Sequence, residues 1–254
     1  MVKTVVLRAP GTNCDVETAF AFEQAGSVVD LVHVNRLIRH ERKLVDYQIL
    51  VIPGGFTYGD DIAAGRVLAN ELKVKLGDDI TRFFEAGGLI LGICNGFQVL
   101  VKAGFLPEPG NGRQPRVTLT TNDSGKFECR WVYLAVNEKS PCIFTKGMEH
   151  MYIPVAHGEG KFVAEPEVIP DINAVVRYAD ERGDIKVGYP QNPNGSVDNI
   201  AGICDTSGRI FALMPHPERH IRGTQHPQWT RLGAKKHGDG FPIFQNAFRW
   251  VQQS

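Results

Sequence analysis

A short apolar run that ends in a cysteine constrains the fold more than any other feature of this 254-residue chain. Residues 87–100 read GGLILGICNGFQVL, and the segment Leu89 to Ile93 within them carries no polar side chain. A continuous apolar run of this length is typical of a strand that is buried on both faces, as in a parallel sheet. The run therefore predicts an α/β fold.

Strand and helix patterns alternate through the first hundred residues. Strands are predicted over Lys3 to Arg8, Val28 to Val34, Tyr47 to Ile52 and Leu89 to Ile93, and helices over Asp15 to Gln24, Asp61 to Leu76 and Asp78 to Ala86. This spacing indicates βαβ units, whose ligand sites lie at the carboxyl ends of the strands. From Val117 onward six strand-like segments follow, separated by turn residues. We expect a three-layer, flavodoxin-like, mostly parallel sheet with helices on both faces, extended by antiparallel strands in the second half.

No internal repeat or low-complexity linker divides the sequence, so a single domain over residues 1–254 is predicted. The polar stretch Arg219 to Gly240 is predicted to be a long surface loop before a last helix over Ile243 to Val251. Trp229, Phe241 and Phe244 are candidates to anchor that loop.

Charge and cysteine content narrow the functional classes. Lys plus Arg and Asp plus Glu both number 28, so no net charge favours nucleic acid or an anionic membrane as a partner. No apolar run approaches the roughly 20 residues of a membrane span. Five scattered cysteines without paired spacing indicate free thiols in a reducing compartment, so we expect a soluble, cytoplasmic protein.

The glycines around Cys94 point to chemistry. A nucleophile at the apex of a sharp strand-to-helix turn leaves little space two positions away, which explains Gly92 and Gly96. The helix that follows, predicted over Gly96 to Ala103, directs its N–H groups at the sulfur and favours the thiolate. The alternative is a purely structural cysteine that packs in the core.

A cysteine nucleophile needs a base, and local chemistry favours His216 among the eight histidines. His216 directly follows the apolar strand Arg209 to Met214 and is flanked by two prolines. Glu218 is placed to orient the imidazole, which completes a Cys-His-Glu triad. His216, His220 and Glu218 could instead form a metal site, although the prolines argue against the helix that would place the two histidines on one face.

The segment VIPGGFTYGDD supplies the third part of the predicted site. Its paired glycines follow a buried strand, where a backbone N–H can join that of Asn95 in an oxyanion hole. The remaining cysteines are interpreted as small hydrophobes: Cys14, Cys129, Cys142 and Cys204.

The segments PGGF, GICNGFQ and MPHPE, in this order, resemble the triad glutamine amidotransferases. Longer segments are most similar to the glutaminase subunits of phosphoribosylformylglycinamidine synthase: RAPGTNCDVET, GGFTYGDDIAAGRVLANEL, HGEGKF and NPNGSVDNIAGICDTSGRIFALMPHPER. The similarity spans most of the chain, including the closing FPIFQNAFRWV.

The resemblance implies that glutamine is hydrolysed through a thioester on Cys94, with His216 as base and Glu218 as its orienter. It places the substrate-binding groups at Gly54, Gly55, Phe56, Asn95 and Gln98. The ammonia would pass to an ATP-dependent synthetase that makes formylglycinamidine ribonucleotide in purine biosynthesis. The role of His157 in the HGEG segment stays open.

The same resemblance implies a large synthetase subunit and a small third subunit as partners. No G-x-x-x-x-G-K-[ST] phosphate loop occurs in the sequence. ATP and Mg²⁺ are therefore expected on the synthetase, and this chain is expected to bind no cofactor or metal.

Three other functions compete with this interpretation. A triad amidotransferase that serves a different acceptor shares the same motifs. A binding module that has lost turnover is disfavoured by the complete triad. A cysteine peptidase or DJ-1-like protein also carries a cysteine elbow, but the HPE motif and the paired glycines favour glutamine.

Overall fold

The computed structural model describes residues 1–60, 63–108, 116–233 and 235–253. A nine-stranded sheet forms the centre of this part of the chain. Its strands are β1 (Lys3–Arg8), β2 (Val28–His33), β3 (Ile49–Ile52), β4 (Leu89–Ile93), β6 (Glu128–Val136), β7 (His150–His157), β9 (Asn173–Ala179), β10 (Ile200–Cys204) and β11 (Ile210–Leu213). Two further strands, β5 (Val117–Thr120) and β8 (Lys161–Ala164), pair with each other in a separate antiparallel sheet.

The large sheet changes character at β11. Its strand order is β2-β1-β3-β4-β11-β10-β9-β6-β7. Every pair from β2 to β11 is parallel, and every pair from β11 to β7 is antiparallel. The predicted fold class is confirmed, because a parallel core from the first half carries an antiparallel extension from the second.

Seven α-helices accompany the strands in the described residues. They are α1 (Asp15–Ala25), α2 (Val34–Ile38), α3 (Arg66–Glu71), α4 (Gly77–Glu85), α5 (Asn95–Ala103), α6 (Trp229–Leu232) and α7 (Phe241–Gln253). The connection from β1 to β2 through α1 runs opposite to the connection from β3 to β4 through α4. Right-handed crossovers therefore place α1 and α4 on opposite faces of the sheet.

Aromatic contacts hold the outer layers on the sheet. The rings of Phe22 in α1 and Phe244 in α7 meet edge to face, with their centroids 5.0 Å apart. Phe97 in α5 stacks on Phe162 in β8 at 6.0 Å. No helix in the described ranges combines the length and the apolar character that crossing a bilayer needs.

The structure corrects some predicted boundaries. Of the helix predicted over Asp61 to Leu76, positions 61 and 62 lie outside the described residues, and the observed helix begins at Arg66. A π-helical turn over Leu72–Leu76 joins it to α4, so two predicted helices form one nearly continuous run. Strand β8 was not predicted, because Phe162 is the one buried residue among its four and no apolar run or alternation marks the segment.

In the described part of the segment 219–240, the structure shows one short helix, α6, and a 3-10 turn over Gly223–Gln225. The predicted anchor Trp229 is wrong, since its side chain is exposed. His220 and His226 pack instead on the ring of Trp131 in β6, at centroid distances of 5.0 and 5.9 Å. Phe241 and Phe244, the other two candidate anchors, are buried, and both lie in α7.

Candidate active site

The two strands that carry the predicted nucleophile and base are direct neighbours. β4 and β11 are parallel, and Ile93 is paired with Leu213. The N–H of Cys94 continues the ladder by donating to the Leu213 carbonyl at 2.8 Å. Cys94 and His216 therefore leave the same edge of the sheet from adjacent strands.

Cys94 occupies the strained turn that the glycine spacing predicts. Its backbone has φ +51° and ψ −104°, and the residue directly precedes α5. A β-carbon on Gly96 would lie 1.9 Å from the Ile52 carbonyl oxygen, and one on Gly92 would lie 2.8 Å from the Gly96 carbonyl oxygen. The glycines thus let the first turn of α5 sit directly on the ends of β3 and β4. Such backbone strain costs about 1–3 kcal/mol, which the surrounding packing offsets.

His216 and Glu218 form a buried pair. Nδ1 of His216 and Oε1 of Glu218 are 2.6 Å apart, and both side chains are at most 2% exposed. Because a carboxylate only accepts, Nδ1 carries the proton. His216 Nε2 and Glu218 Oε2 have no hydrogen-bond partner among the described residues, so the ring nitrogen opposite Glu218 is available to the reacting groups.

The environment of His216 favours the imidazolium. Burial lowers its pKa, but the negative charge of Glu218 and then the thiols of Cys94 and Cys14 outweigh burial and raise the pKa well above the ordinary value. A glutamate that stabilises imidazolium is what a proton-carrying histidine requires.

The edge strand β7 closes the site from the other side. The His216 N–H donates to the Pro154 carbonyl at 2.8 Å, and the Cys94 thiol approaches the Ala156 carbonyl at 3.8 Å. In the sheet, β7 is four strands away from β11. The antiparallel extension must therefore curl back over the parallel strand ends, and it forms one wall of the site.

The loop after β3 forms only part of the predicted oxyanion hole. Gly55 N–H has no hydrogen-bond partner in the described residues, which leaves it available to an oxyanion. Phe56 N–H instead donates to the Gly11 carbonyl at 3.0 Å, so the structure does not support it as a donor to an oxyanion. A β-carbon on Gly54 would lie 2.9 Å from His216 Cε1, so Gly54 makes room for the imidazole.

Asn95 and Gln98 belong to a buried chain of side-chain hydrogen bonds. Thr57 Oγ1 donates to Asn95 Oδ1 at 2.5 Å, Asn95 Nδ2 donates to Gln98 Oε1 at 2.9 Å, and Gln98 Nε2 donates to the Glu159 carbonyl. This chain ties together the loop after β3, helix α5 and the loop after β7. The predicted contact of Gln98 with glutamine stays a prediction.

His157, left open by the sequence, is a buried neutral imidazole. Its Nδ1 lies 3.1 Å from Asn122 Oδ1, which also accepts the Gly160 N–H. Burial first, and then the charge of His216, lowers the pKa of His157 to about 3. His157 is therefore a wall residue beside the imidazolium and carries no charge near neutral pH.

Cys14 is the residue at the site that sequence reasoning missed. Its thiol donates to Asn13 Oδ1 at 3.1 Å and accepts from Nη2 of Arg219 at 3.2 Å. Cys14 Sγ, a ring nitrogen of His216 and a Glu218 carboxylate oxygen lie within 4.8 Å of one another. The only sequence signal was the segment GTNCD, which contributed to the resemblance but carried no assigned role.

These three donors match the ligands of a soft cation such as Zn²⁺. Two observations argue against a bound cation here. The Arg219 guanidinium already contacts the Cys14 sulfur, and the 2.6 Å hydrogen bond between His216 and Glu218 would have to break. The alternative metal site of His216, His220 and Glu218 is not formed in the described residues, where the one cluster of possible ligands excludes His220 and Nδ1 of His220 lies 2.8 Å from the Tyr152 carbonyl.

A cysteine elbow beside a histidine–glutamate pair, at the carboxyl edge of a mixed sheet, defines the class of triad enzymes that act through a thioester. Sequence comparison gives the family: the chain belongs to the CobB/CobQ-like glutamine amidotransferase domain family, whose profile matches residues 1–251.

Named relatives and a solved structure agree. The chain is 59% identical over 252 residues to the phosphoribosylformylglycinamidine synthase subunit PurQ of Dehalococcoides mccartyi, an alignment that covers 99% of this chain and 98% of that protein. Identity to the same subunit of Methanococcus maripaludis is 44%, covering 95% and 92%. A chain in the structure of PurLQS from Thermotoga maritima superposes with a TM-score of 0.76 at 35% identity, covering 98% and 99%.

Proposed function

We propose that this chain is the glutaminase subunit of phosphoribosylformylglycinamidine synthase. The observation that carries the proposal is the 59% identity over nearly the whole length to a named subunit of that enzyme, joined to a complete Cys94, His216 and Glu218 arrangement. In this function the chain releases ammonia from glutamine, and a separate synthetase subunit uses it to make formylglycinamidine ribonucleotide.

The reaction begins with thioester formation. The Cys94 thiol gives its proton to His216 Nε2, its sulfur attacks the carboxamide carbon of glutamine, and the carbonyl oxygen takes the negative charge. The N–H groups of Gly55 and Asn95 face that oxygen as the oxyanion hole. His216 gives its Nε2 proton to the amide nitrogen, the carbon–nitrogen bond breaks, and ammonia leaves.

Hydrolysis then restores the enzyme. Neutral His216 takes a proton from water, the resulting hydroxide attacks the thioester carbon, and the carbon–sulfur bond breaks to release glutamate. Glu218 stays ionised and stabilises the imidazolium in both steps. The sum of the two steps is glutamine and water to glutamate and ammonia.

The energy-consuming step belongs to the partner in this proposal. ATP and Mg²⁺ bind to the large synthetase subunit, a small third subunit completes the assembly, and this chain holds no cofactor of its own. The similarity to a chain of PurLQS supports an assembly of this kind. A cytoplasmic location belongs to the same proposal.

Reconstitution with the large and small subunits tests the proposal, because the same complex can use glutamine or an ammonium salt as nitrogen source. The Cys94→Ala complex should lose glutamine-dependent amidine formation and keep the ammonium-dependent reaction. Cys142→Ala, which removes another buried thiol, should keep both activities. Glutamine-dependent turnover by the Cys94→Ala complex would refute the thioester route, and failure of the native complex to make the amidine would refute the assignment.

A further inference from the structure

The contacts of Cys14 carry an inference beyond glutamine hydrolysis itself. Cys14 directly precedes α1 and is far from His216 and Glu218 in the sequence. Its sulfur nevertheless lies within 4.8 Å of a ring nitrogen of His216 and of a carboxylate oxygen of Glu218. A β-carbon on Gly54 would lie 3.1 Å from this sulfur and 2.9 Å from His216 Cε1. The thiol and the imidazole therefore pack against the same glycine.

Arg219 follows Glu218 directly in the chain and has two tethers. Its Nε donates to Glu17 Oε1 at 2.9 Å, and its Nη2 donates to Cys14 Sγ at 3.2 Å. Both tethers hold the guanidinium on the side of α1.

Glu218 carries a second possible acceptor for the Arg219 guanidinium. Its Oε2 is buried and has no hydrogen-bond partner among the described residues. Arg219 and Glu218 already interact through their charges. An arginine that reached this oxygen would form a charge-assisted bond and would compete with His216 for the carboxylate.

We propose that Cys14 is a positioning residue of this site, which holds Arg219 away from Glu218 and so reserves the carboxylate for His216. The benefit of this arrangement for glutamine hydrolysis rests on the proposed function, whereas the contacts themselves do not depend on which substrate is bound. The sulfur suits this role because it accepts weakly from the guanidinium and burial raises the pKa of Cys14, so the thiol stays neutral beside the catalytic pair.

The groups that set the charge state of His216 come from several elements. The titratable and charged groups facing it or its carboxylate partner are Cys14 before α1, Cys94 before α5, His157 at the end of β7, and Glu218 and Arg219 on its own segment. Of these, Arg219 is the cation whose displacement would weaken the hold of Glu218 on the imidazolium.

Ring-¹⁵N histidine NMR of the full chain measures this directly, with His216 assigned by its absence in His216→Asn. In Cys14→Ala the guanidinium loses its sulfur tether, and the pKa of His216 should fall by about one pH unit or more, the usual effect of such a pairing. Cys14→Ser keeps an acceptor and should titrate like the native chain. The double variant Cys14→Ala/Arg219→Gln should recover the part of the fall that the guanidinium causes, because no guanidinium remains to compete, and only the smaller direct effect of the lost thiol should remain.

Two further variants complete the design. Cys142→Ala removes a buried thiol elsewhere and should leave the titration unchanged. Glu17→Gln cuts the other tether at a side chain that is 39% exposed, so it tests the idea even if Cys14→Ala does not fold, and it should shift the pKa in the same direction. An unshifted titration in a folded Cys14→Ala chain, or a fall in the double variant as large as in Cys14→Ala alone, would overturn the proposal. Because NMR needs no turnover, its result is independent of whether glutamine is the substrate.

Discussion

Gly96→Ala is the sharpest test of how the elbow is built. The new β-carbon would lie 1.9 Å from the Ile52 carbonyl oxygen, whereas β-carbons in proteins essentially never approach other heavy atoms closer than 3.0 Å. Either β3 or the first turn of α5 must therefore move by at least about 1 Å. Overpacking of a core costs about 1–3 kcal/mol. A displacement of about 1 Å at a reacting group can cost about 100-fold in rate.

Urea unfolding followed by circular dichroism gives the stability change, and glutamate release in the reconstituted complex gives the rate. Gly104→Ala is the matched control, since Gly104 ends the same helix and a β-carbon there meets nothing within 4 Å. Its φ of +83° makes the control lose about 1–2 kcal/mol, but its activity should stay native. A Gly96→Ala chain with native stability and more than a tenth of the native rate would show that the close approach does not position Cys94.

Two further predictions concern buried polar groups. Folding lowers the pKa of His157 from 6.5 to about 3. Between these two pH values the unfolded chain therefore binds more protons than the folded chain. The free energy of unfolding should fall as the pH drops through that range. His157→Gln should lose less stability between pH 7 and pH 5 in urea titrations, and an equal loss would rule out His157 as a source. Gln98→Leu removes the hydrogen bonds of Gln98 with Asn95 Nδ2 and with the Glu159 carbonyl from a buried site, which should lower the free energy of unfolding by about 1–3 kcal/mol. Native stability of that variant would mean that the buried chain of hydrogen bonds contributes little.

The sequence predicted best where local pattern and tertiary structure agree. Strands β1 and β4 were predicted with their observed bounds, because the buried part of each strand shows as an apolar run, VVL in β1 and LILGI in β4. The elbow at Cys94 was equally visible, because close backbone approach demands glycine. His216 and Glu218 were found because two residues only two positions apart in the sequence also meet in space.

The remaining parts of the site depend on long-range contacts that no local pattern encodes. Cys14 reads as an ordinary small hydrophobe until Arg219 meets it across 205 positions. The contact of β7 with Cys94 depends on how strongly the antiparallel half curls. The sequence cannot show that the Phe56 N–H is bonded while the Gly55 N–H is available, because that depends on the position of the Gly11 carbonyl.

The pairing of β4 with β11 has a consequence for biosynthesis. The ribosome completes β4 more than a hundred residues before it makes β11, and through that interval one edge of a wholly apolar strand has no partner. Exposed edges of this kind recruit other strands. The nascent chain is therefore most prone to aggregate before residue 210 is made, and its nucleophile has no base until synthesis is more than four-fifths complete, so a premature stop yields inert protein rather than an unregulated source of ammonia.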